Sequence, residues 1–468
     1  MINHQAPVTR GFLFVGGWVD LGMVRYISLL LLIVLTWGQT IDLSLEWTTD
    51  ENFSLSNDLE NLVSTQLSID PRMSGIIIIH DGEIVLENYY GDNSQDSINL
   101  LWSATKTFTS TLIGQAVDMG LMMDPDSSAS YFFQQFDEPY LDSISLSDLL
   151  SMSSGYEDDY NYPNWLPTDS LLSMDHSQPG TFFYNGSACE LNSRAFYYST
   201  GINLSEFAEV HLFPQLGIEE SFWGSGIDGF STAGKALALR LRDMAKLGQL
   251  YLQNGFSGDE QILSSQWIER ATSVQTTPLG PWTVVPIEGT HEDIGLSGYG
   301  YLILLYGFEG AYLAWGWGGQ IIAVIPEHDL VVATSSAVWQ GVNESNYMYQ
   351  IDLIQTIFNE IAPVFNNLST NKNLIPEVFE LHQNYPNPFN PLTTLRYDLP
   401  EDTNINITIY DMMGRKVSTL VSSQKTAGYK SACWNATNDK GAPVSAGLYL
   451  YMIQAGEFRQ TKKMVLLK

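Results

Sequence analysis

Residues 102–120 read WSATKTFTSTLIGQAVDMG, and the reading of this stretch decides the fold. Phe108, Leu112, Ile113, Ala116 and Val117 recur at helical spacing, which predicts a helix from Ser103, or just before it, to Leu121. On such a helix positions i and i+3 share a face, so Lys106 lies beside the Ser103 hydroxyl. A helix N-terminus also aims backbone N–H groups at an incoming carbonyl oxygen and favours developing negative charge. The serine still needs a base. Lysine is protonated at its usual pKa near ~10.4, and burial is expected to lower that value into a useful range. S-x-x-K arises by chance roughly once or twice in a chain of this length. Taken alone it reads as a capping serine followed by a surface lysine, so the neighbouring sequence has to decide.

Upstream, GIIIIHDGEIVLENYYG at residues 75–91 reads as two strands joined at Asp81-Gly82, because glycine accepts the positive φ of a tight turn. Residues 56–68 have a helical pattern. Downstream, LSDLLSMSSGY (146–156) predicts a helix followed by cleft-forming loops as far as Pro179, and residues 237–253 predict another helix. Residues 310–338 read as antiparallel strands around a turn at Pro326 to Asp329, closed by an amphipathic helix from Tyr347 to Ile361. Helices flanking an antiparallel sheet indicate an α+β domain.

The length of 468 residues suits a large core plus an accessory module. With 44% hydrophobic and 16% charged residues the chain has material for a packed interior. Its formal net charge of -31 repels phosphate backbones and anionic lipid, so nucleic acid is not an expected partner. That charge is uneven: residues 375–468 carry 10 basic and 8 acidic side chains, against 11 and 44 in residues 1–374. The two cysteines, Cys189 and Cys433, are too far apart for a C-x-x-C metal motif and read as packing residues. No metal site or cofactor is expected. Glu157-Asp158-Asp159 lacks the alternating spacing of a calcium loop. His80, His176, His211, His291 and His328 are scattered singly and read as turn or surface residues.

MVRYISLLLLIVLTWGQT at residues 23–40 has the cationic start, short apolar stretch and small-residue end of a secretory signal peptide, so no permanent membrane span is expected after its removal. At the other end, short alternating strands with Gly, Pro and Asn turns follow YPNPFNP and point to a small β-sandwich. The expected organisation is an extension and signal peptide (1–38), a catalytic domain (39–365), a linker (366–378) and the sandwich (379–468).

Several segments occur in a telling order. WSATKTFTSTLIGQAVDMG is preceded by the hairpin and followed by DLLSMSSGY, PGTFFYNGSACELNS (179–193), LFPQLGI (212–218), RLRDMAKLGQLYL (240–252) and GWGGQIIAVIPEHDLVV (316–332). Over residues 55–362 this arrangement resembles the serine β-lactamase and penicillin-binding-protein superfamily, near class C enzymes, related esterases and 6-aminohexanoate-dimer hydrolases. The resemblance implies a β-lactamase/transpeptidase-like α+β fold, with Ser103 as nucleophile and Lys106 as its basic partner. Tyr184 of Tyr184-Asn185-Gly186 matches the family tyrosine that passes protons between nucleophile and leaving group. The resemblance also implies an oxyanion hole from the backbone N–H groups of Ser103 and Trp317, and a substrate cleft beside Asn185, Gly318, Gly319 and Gln320. Two departures matter. Gly186 stands where the family commonly has asparagine, and Gly316-Trp317-Gly318-Gly319-Gln320 replaces the K-T-G whose lysine holds a β-lactam carboxylate.

QNYPNPFNP (383–391), TIYDMMGRKVSTL (408–420), residues 427–456 and the ending KKMVLLK resemble the type A C-terminal sorting domain of the type IX secretion system. That resemblance implies the secretion machinery as a partner, and a destination at the cell surface or outside a Gram-negative cell. Esterase or small-amide hydrolase is the first reading. A D-amino-acid peptidase, a β-lactamase and an inactive surface binding protein on the same fold remain open.

Overall fold

The computed structural model describes residues 40–50, 57–157, 166–276, 296–307, 310–337, 344–365, 378–384, 387, 389, 393–425, 427–456 and 458–467. The expected signal peptide, His291, Asp158 and Asp159, and all of the expected linker except Val378 lie outside these residues. The chain divides into two compact units, Met1–Asn367 and Leu368–Lys468.

In the first unit the hairpin consists of β1 (Met73–His80) and β2 (Glu83–Tyr89). Asp81 (φ 53°) and Gly82 (φ 81°) both have positive φ, the turn that matches strand twist. β1 is buried at every position whereas β2 is only partly covered. Sheet order explains the difference: β1 is interior and β2 is an edge. Two short strands follow, β3 (Ile98–Leu100) and β4 (Phe222–Trp223), which flank β5 (Leu237–Arg240) in a small separate sheet. The main sheet continues with β6 (Leu296–Tyr299), β7 (Leu304–Tyr306), β8 (Tyr312–Gly316), β9 (Gln320–Ile325) and β10 (Leu330–Ser336). Its order is β2-β1-β10-β9-β8-β7-β6, with every pairing antiparallel.

The longer helices of this unit are α1 (Thr105–Asp118), α2 (Gly186–Thr200), which packs on α1, α3 (Leu241–Leu252) and α4 (Glu344–Thr356). α3 lies so close to the sheet that a Cβ on Gly248 would come within 2.7 Å of Val331 and 2.9 Å of Ile322. On the face of alternate parity, Ser336 bonds the Tyr349 hydroxyl of α4 at 2.8 Å. The sheet is therefore covered on both faces, which is why β8, β9 and β10 read as nearly unbroken apolar runs.

Several boundaries differ from the sequence reading. Residues 237–240 are the strand β5, and the helix begins only at Leu241, because the backbone of Leu237–Arg240 pairs with β3 and β4. The first helix of the region 56–68 is Asn57–Leu62 followed by a π turn, and α4 likewise gives way to a π turn at Ile357. His80 and His328 are buried rather than exposed. His80 lies against the Phe365 ring, 5.0 Å between centroids.

The second unit is a small all-β, immunoglobulin-like sandwich. One sheet holds β11 (Glu380–Leu381), β12 (Thr393–Leu399) and β15 (Gly428–Trp434). The other holds β13 (Thr403–Asp411), β14 (Lys416–Lys425), β16 (Gly447–Ala455) and β17 (Phe458–Leu466). Alternate residues of both sheets, among them Leu395, Tyr397, Ile407, Ile409, Trp434, Tyr451 and Met464, make its core.

Candidate active site

Ser103 sits in a single 3-10 turn, Trp102–Ala104, that feeds directly into α1. Trp102 has φ 48°, a conformation that a bulky side chain rarely adopts. Strain of this kind persists where the surrounding structure over-determines it, and it is characteristic of sites that present a reactive group. The i,i+3 spacing brings the two side chains together: Lys106 is buried and its Nζ lies 3.1 Å from Ser103 Oγ.

One face of α1 is tied to the chain leading into β5. Thr109 Oγ1 donates to the Ala233 carbonyl at 2.8 Å, Lys106 Nζ donates to the Gly234 carbonyl at 3.0 Å, and Thr105 Oγ1 accepts the Leu237 N–H at 3.3 Å. Residues i, i+1 and i+4 of the helix thus hold 233–237 against the nucleophile. Tyr184 completes the group, with its ring centroid 5.0 Å from Lys106 Nζ and edge-on to Tyr299 at 6.4 Å. Ser103, Lys106, Thr107, Tyr184, Tyr299 and Leu313 line one pocket.

The electrostatics overturn one expectation. Burial does disfavour the Lys106 ammonium, but Tyr184, Cys189 and Glu190 around it outweigh that effect and the pKa is raised, not lowered. Lys106 is therefore a cation at neutral pH. Burial also pushes the Cys189 thiol up to about 12, so this cysteine is an inert packing residue beside the site. Burial raises the Tyr299 phenol well above its ordinary value.

The glycine-rich turn between β8 and β9 abuts the same place. A Cβ on Gly316 would lie 1.9 Å from the Leu101 carbonyl oxygen, so only glycine lets β8 approach the segment that carries Ser103. Gly318 (φ 88°) and Gly319 (φ 96°) make the turn itself. Gln350 of α4 holds it from behind, with Oε1 accepting from Gly318 N–H at 3.0 Å and from Trp315 Nε1 at 3.1 Å. Trp317 is half-buried on this turn.

Two residues expected at the substrate cleft are committed elsewhere. Asn185 is buried: its Oδ1 caps α2 by accepting the Ala188 N–H at 2.7 Å, and its Nδ2 donates to the Tyr156 carbonyl at 2.9 Å. Gln320 is also buried and pairs with the Ser336 backbone, donating at 2.6 Å and accepting at 3.3 Å. Both are polar residues next to a motif, and only packing reveals that their amides face protein backbone. Sequence reasoning also missed Glu190 and Gln350, two buried side chains whose partners come from distant segments. The i,i+4 spacing of Glu190 and Arg194 was visible, but it reads as an ordinary surface pair.

Among the described residues one group has the composition of a metal site, Glu380, His382 and Asp398 in the sandwich. His382 faces Asp398 with Nε2 at 2.7 Å and Glu380 with Nδ1 at 4.0 Å. Its two ring nitrogens are thus directed at two different carboxylates.

The profile of the beta-lactamase family matches residues 68–354, and that of the secretion system C-terminal sorting domain matches residues 383–467. An uncharacterised protein of Alkalihalophilus pseudofirmus is 21% identical over 64% of this chain and 95% of its own length. The 6-aminohexanoate-dimer hydrolase of Paenarthrobacter ureafaciens is 22% identical over 41% of this chain, which spans 55% of that enzyme. A candidate 6-aminohexanoate-dimer hydrolase structure from Bacillus anthracis superposes with a TM-score of 0.53 at 21% identity, covering 73% of this chain and 96% of its own.

Proposed function

The chain belongs to the beta-lactamase family of serine hydrolases and carries a sorting domain for type IX secretion to the cell surface or the medium, and from that premise we propose that it cleaves an ester or small amide through an acyl-enzyme on Ser103. The observation that carries this reading is the 3.1 Å approach of Lys106 Nζ to Ser103 Oγ beside the Tyr184 ring.

In the first half-reaction Ser103 Oγ attacks the substrate carbonyl carbon while Tyr184, acting as a phenolate beside the Lys106 ammonium, takes its proton. Lys106 remains an ammonium and donates to Oγ as negative charge develops there, which is where a fixed cation lowers a barrier. The tetrahedral oxyanion is taken up by the backbone N–H groups of Ser103 and Trp317. When the C–O or C–N bond breaks, the proton held by Tyr184 goes to the leaving group. Water then repeats the cycle on the acyl-enzyme, releasing the acid and restoring the serine proton. The absent K-T-G lysine argues against β-lactam carboxylate recognition, so the ester and amide classes come first.

Turnover of p-nitrophenyl acetate by the wild type and Ser103→Ala, with mass spectrometry after a fluorophosphonate probe, tests the assignment. The expected result is a stoichiometric adduct on Ser103 and a loss of activity of at least about a thousandfold in the variant. Retained turnover in Ser103→Ala, or no labelling of the wild type, overturns it. Nitrocefin turnover faster than ester turnover would move the substrate class to β-lactams.

A further inference from the structure

The mechanism above leaves a fully buried carboxylate beside the site, that of Glu190, unused. Glu190 projects from the second turn of α2, six residues beyond Tyr184, and it is entirely sequestered from solvent. Its Oε2 accepts the Ala233 N–H at 2.8 Å and its Oε1 accepts the Gly234 N–H at 3.1 Å. Behind it Arg194, also fully buried, approaches Oε2 at 3.2 Å and passes on to Asp228 at 3.0 Å. Burial raises the Glu190 pKa, but Arg194, the two N–H groups and Lys106 act against it, and with donors on both carboxylate oxygens the contacts are those that favour the ionised form.

A buried ion pair of this kind is a poor source of stability, because desolvation costs about as much as the attraction returns. Its geometry suggests another use. The two N–H groups that Glu190 holds belong to the residues whose carbonyls meet α1: Ala233 accepts from Thr109 and Gly234 accepts from Lys106. The Gly234 N–H shares a rigid peptide plane with the Ala233 carbonyl, so holding it sets how that carbonyl meets Thr109, and with both N–H groups held the backbone is anchored at Gly234, whose own carbonyl meets Lys106. The gap is tight, since a Cβ on Gly234 would lie 3.2 Å from both Glu190 Oε1 and Lys106 Nζ.

We propose that Glu190 is a positioning residue for acyl transfer: it clamps the backbone of Ala233-Gly234 so that the Gly234 carbonyl holds the Lys106 ammonium against Ser103 Oγ. This rests on the assignment of Ser103 and Lys106 made above. Glu190 also contributes charge. The groups that face Lys106 are Tyr184, Cys189 and Glu190, with Lys235 as an opposing cation. Those that face Glu190 are Arg194, Lys106, Cys189 and Lys235. Removing the carboxylate withdraws an anion from Lys106 while Lys235 stays beside it as an opposing cation, so the ammonium gives up its proton at lower pH.

The test is the pH profile of kcat/KM for p-nitrophenyl acetate in the wild type, Glu190→Gln and Glu190→Asp, with fluorophosphonate labelling in parallel. Glutamine keeps the shape, but its NH2 end confronts one of the two backbone donors. Expected for Glu190→Gln is a fall in kcat of about ten- to a hundredfold and an alkaline limb moved to lower pH by about one unit. Glu190→Asp retains the charge but shortens the reach, so its limb stays in place while kcat falls. Unchanged kcat and profile in Glu190→Gln overturn the proposal. So does a loss of kcat with the limb unmoved, which marks a carboxylate that merely supports the fold. If Glu190→Gln does not fold, Glu190→Asp decides, and wild-type kcat in that variant refutes the clamp. Failure of the underlying assignment is distinguishable, because the wild type itself would then leave Ser103 unlabelled.

Discussion

Replacing Gly316 by alanine puts the approach of β8 to the nucleophile under direct strain. The added methyl would stand 1.9 Å from the Leu101 carbonyl oxygen, a backbone atom that cannot rotate away. Ordinary carbon–oxygen contacts lie near ~3.3 Å or beyond, so the two segments have to separate by more than 1 Å. Leu101 is two residues before Ser103, and Gly316 is one residue before Trp317, so the displacement falls between the proposed nucleophile and its second oxyanion donor. A misplacement of about 1 Å costs on the order of a hundredfold in rate, and overpacking of this kind costs about 1–3 kcal/mol of stability. Gly248→Ala is the matched control. Its methyl would also clash, at 2.7 Å with Val331 and 2.9 Å with Ile322, but these are side-chain atoms on the sheet contact of α3. Thermal melts and kcat/KM for an activated ester, corrected for the folded fraction, separate the two cases. Both variants should melt lower, and only Gly316→Ala should lose about two orders of magnitude in kcat/KM. A folded Gly316→Ala enzyme with wild-type kcat/KM would refute the coupling of this turn to the nucleophile.

Lys106 predicts a specific loss of stability in alkali. Its pKa is raised above 10.5 in the folded protein, so the folded state holds the proton more tightly than the unfolded one; the stabilisation is complete below about pH 10.5 and disappears as pH rises through the folded value. Urea melts of the wild type and Lys106→Met should therefore converge between pH 10 and roughly pH 12 relative to their difference at pH 8, and a difference that does not depend on pH would contradict the raised pKa. Gln350→Leu should leave the Gly318 N–H and Trp315 Nε1 without their acceptor, at a cost of about 1–3 kcal/mol for each buried group. That variant should melt lower and show a reduced kcat with nearly unchanged KM, and a KM effect alone would indicate that the turn binds substrate rather than the transition state.

Local sequence was enough for everything that depends on neighbours in the chain. The i,i+3 relation of Ser103 and Lys106, the Asp81-Gly82 turn, the apolar runs of β9 and β10 and the separate β-rich tail all follow from backbone geometry acting over a few residues. The order of motifs then placed Tyr184 with the serine and lysine. Tertiary structure decided what each polar side chain faces. Asn185 and Gln320 stand beside family motifs yet spend their amides on Tyr156 and Ser336. Glu190 meets Ala233 and Gly234, more than 40 residues away, and Gln350 meets Gly318 across 32. The sign of the Lys106 shift belongs to the same class. Burial alone would lower its pKa, and the neighbours that reverse the outcome, Tyr184 first and then Cys189 and Glu190, are brought to it only by folding. A pKa is a sum over surrounding charges at distances of a few ångströms, and no local pattern in the chain records those distances.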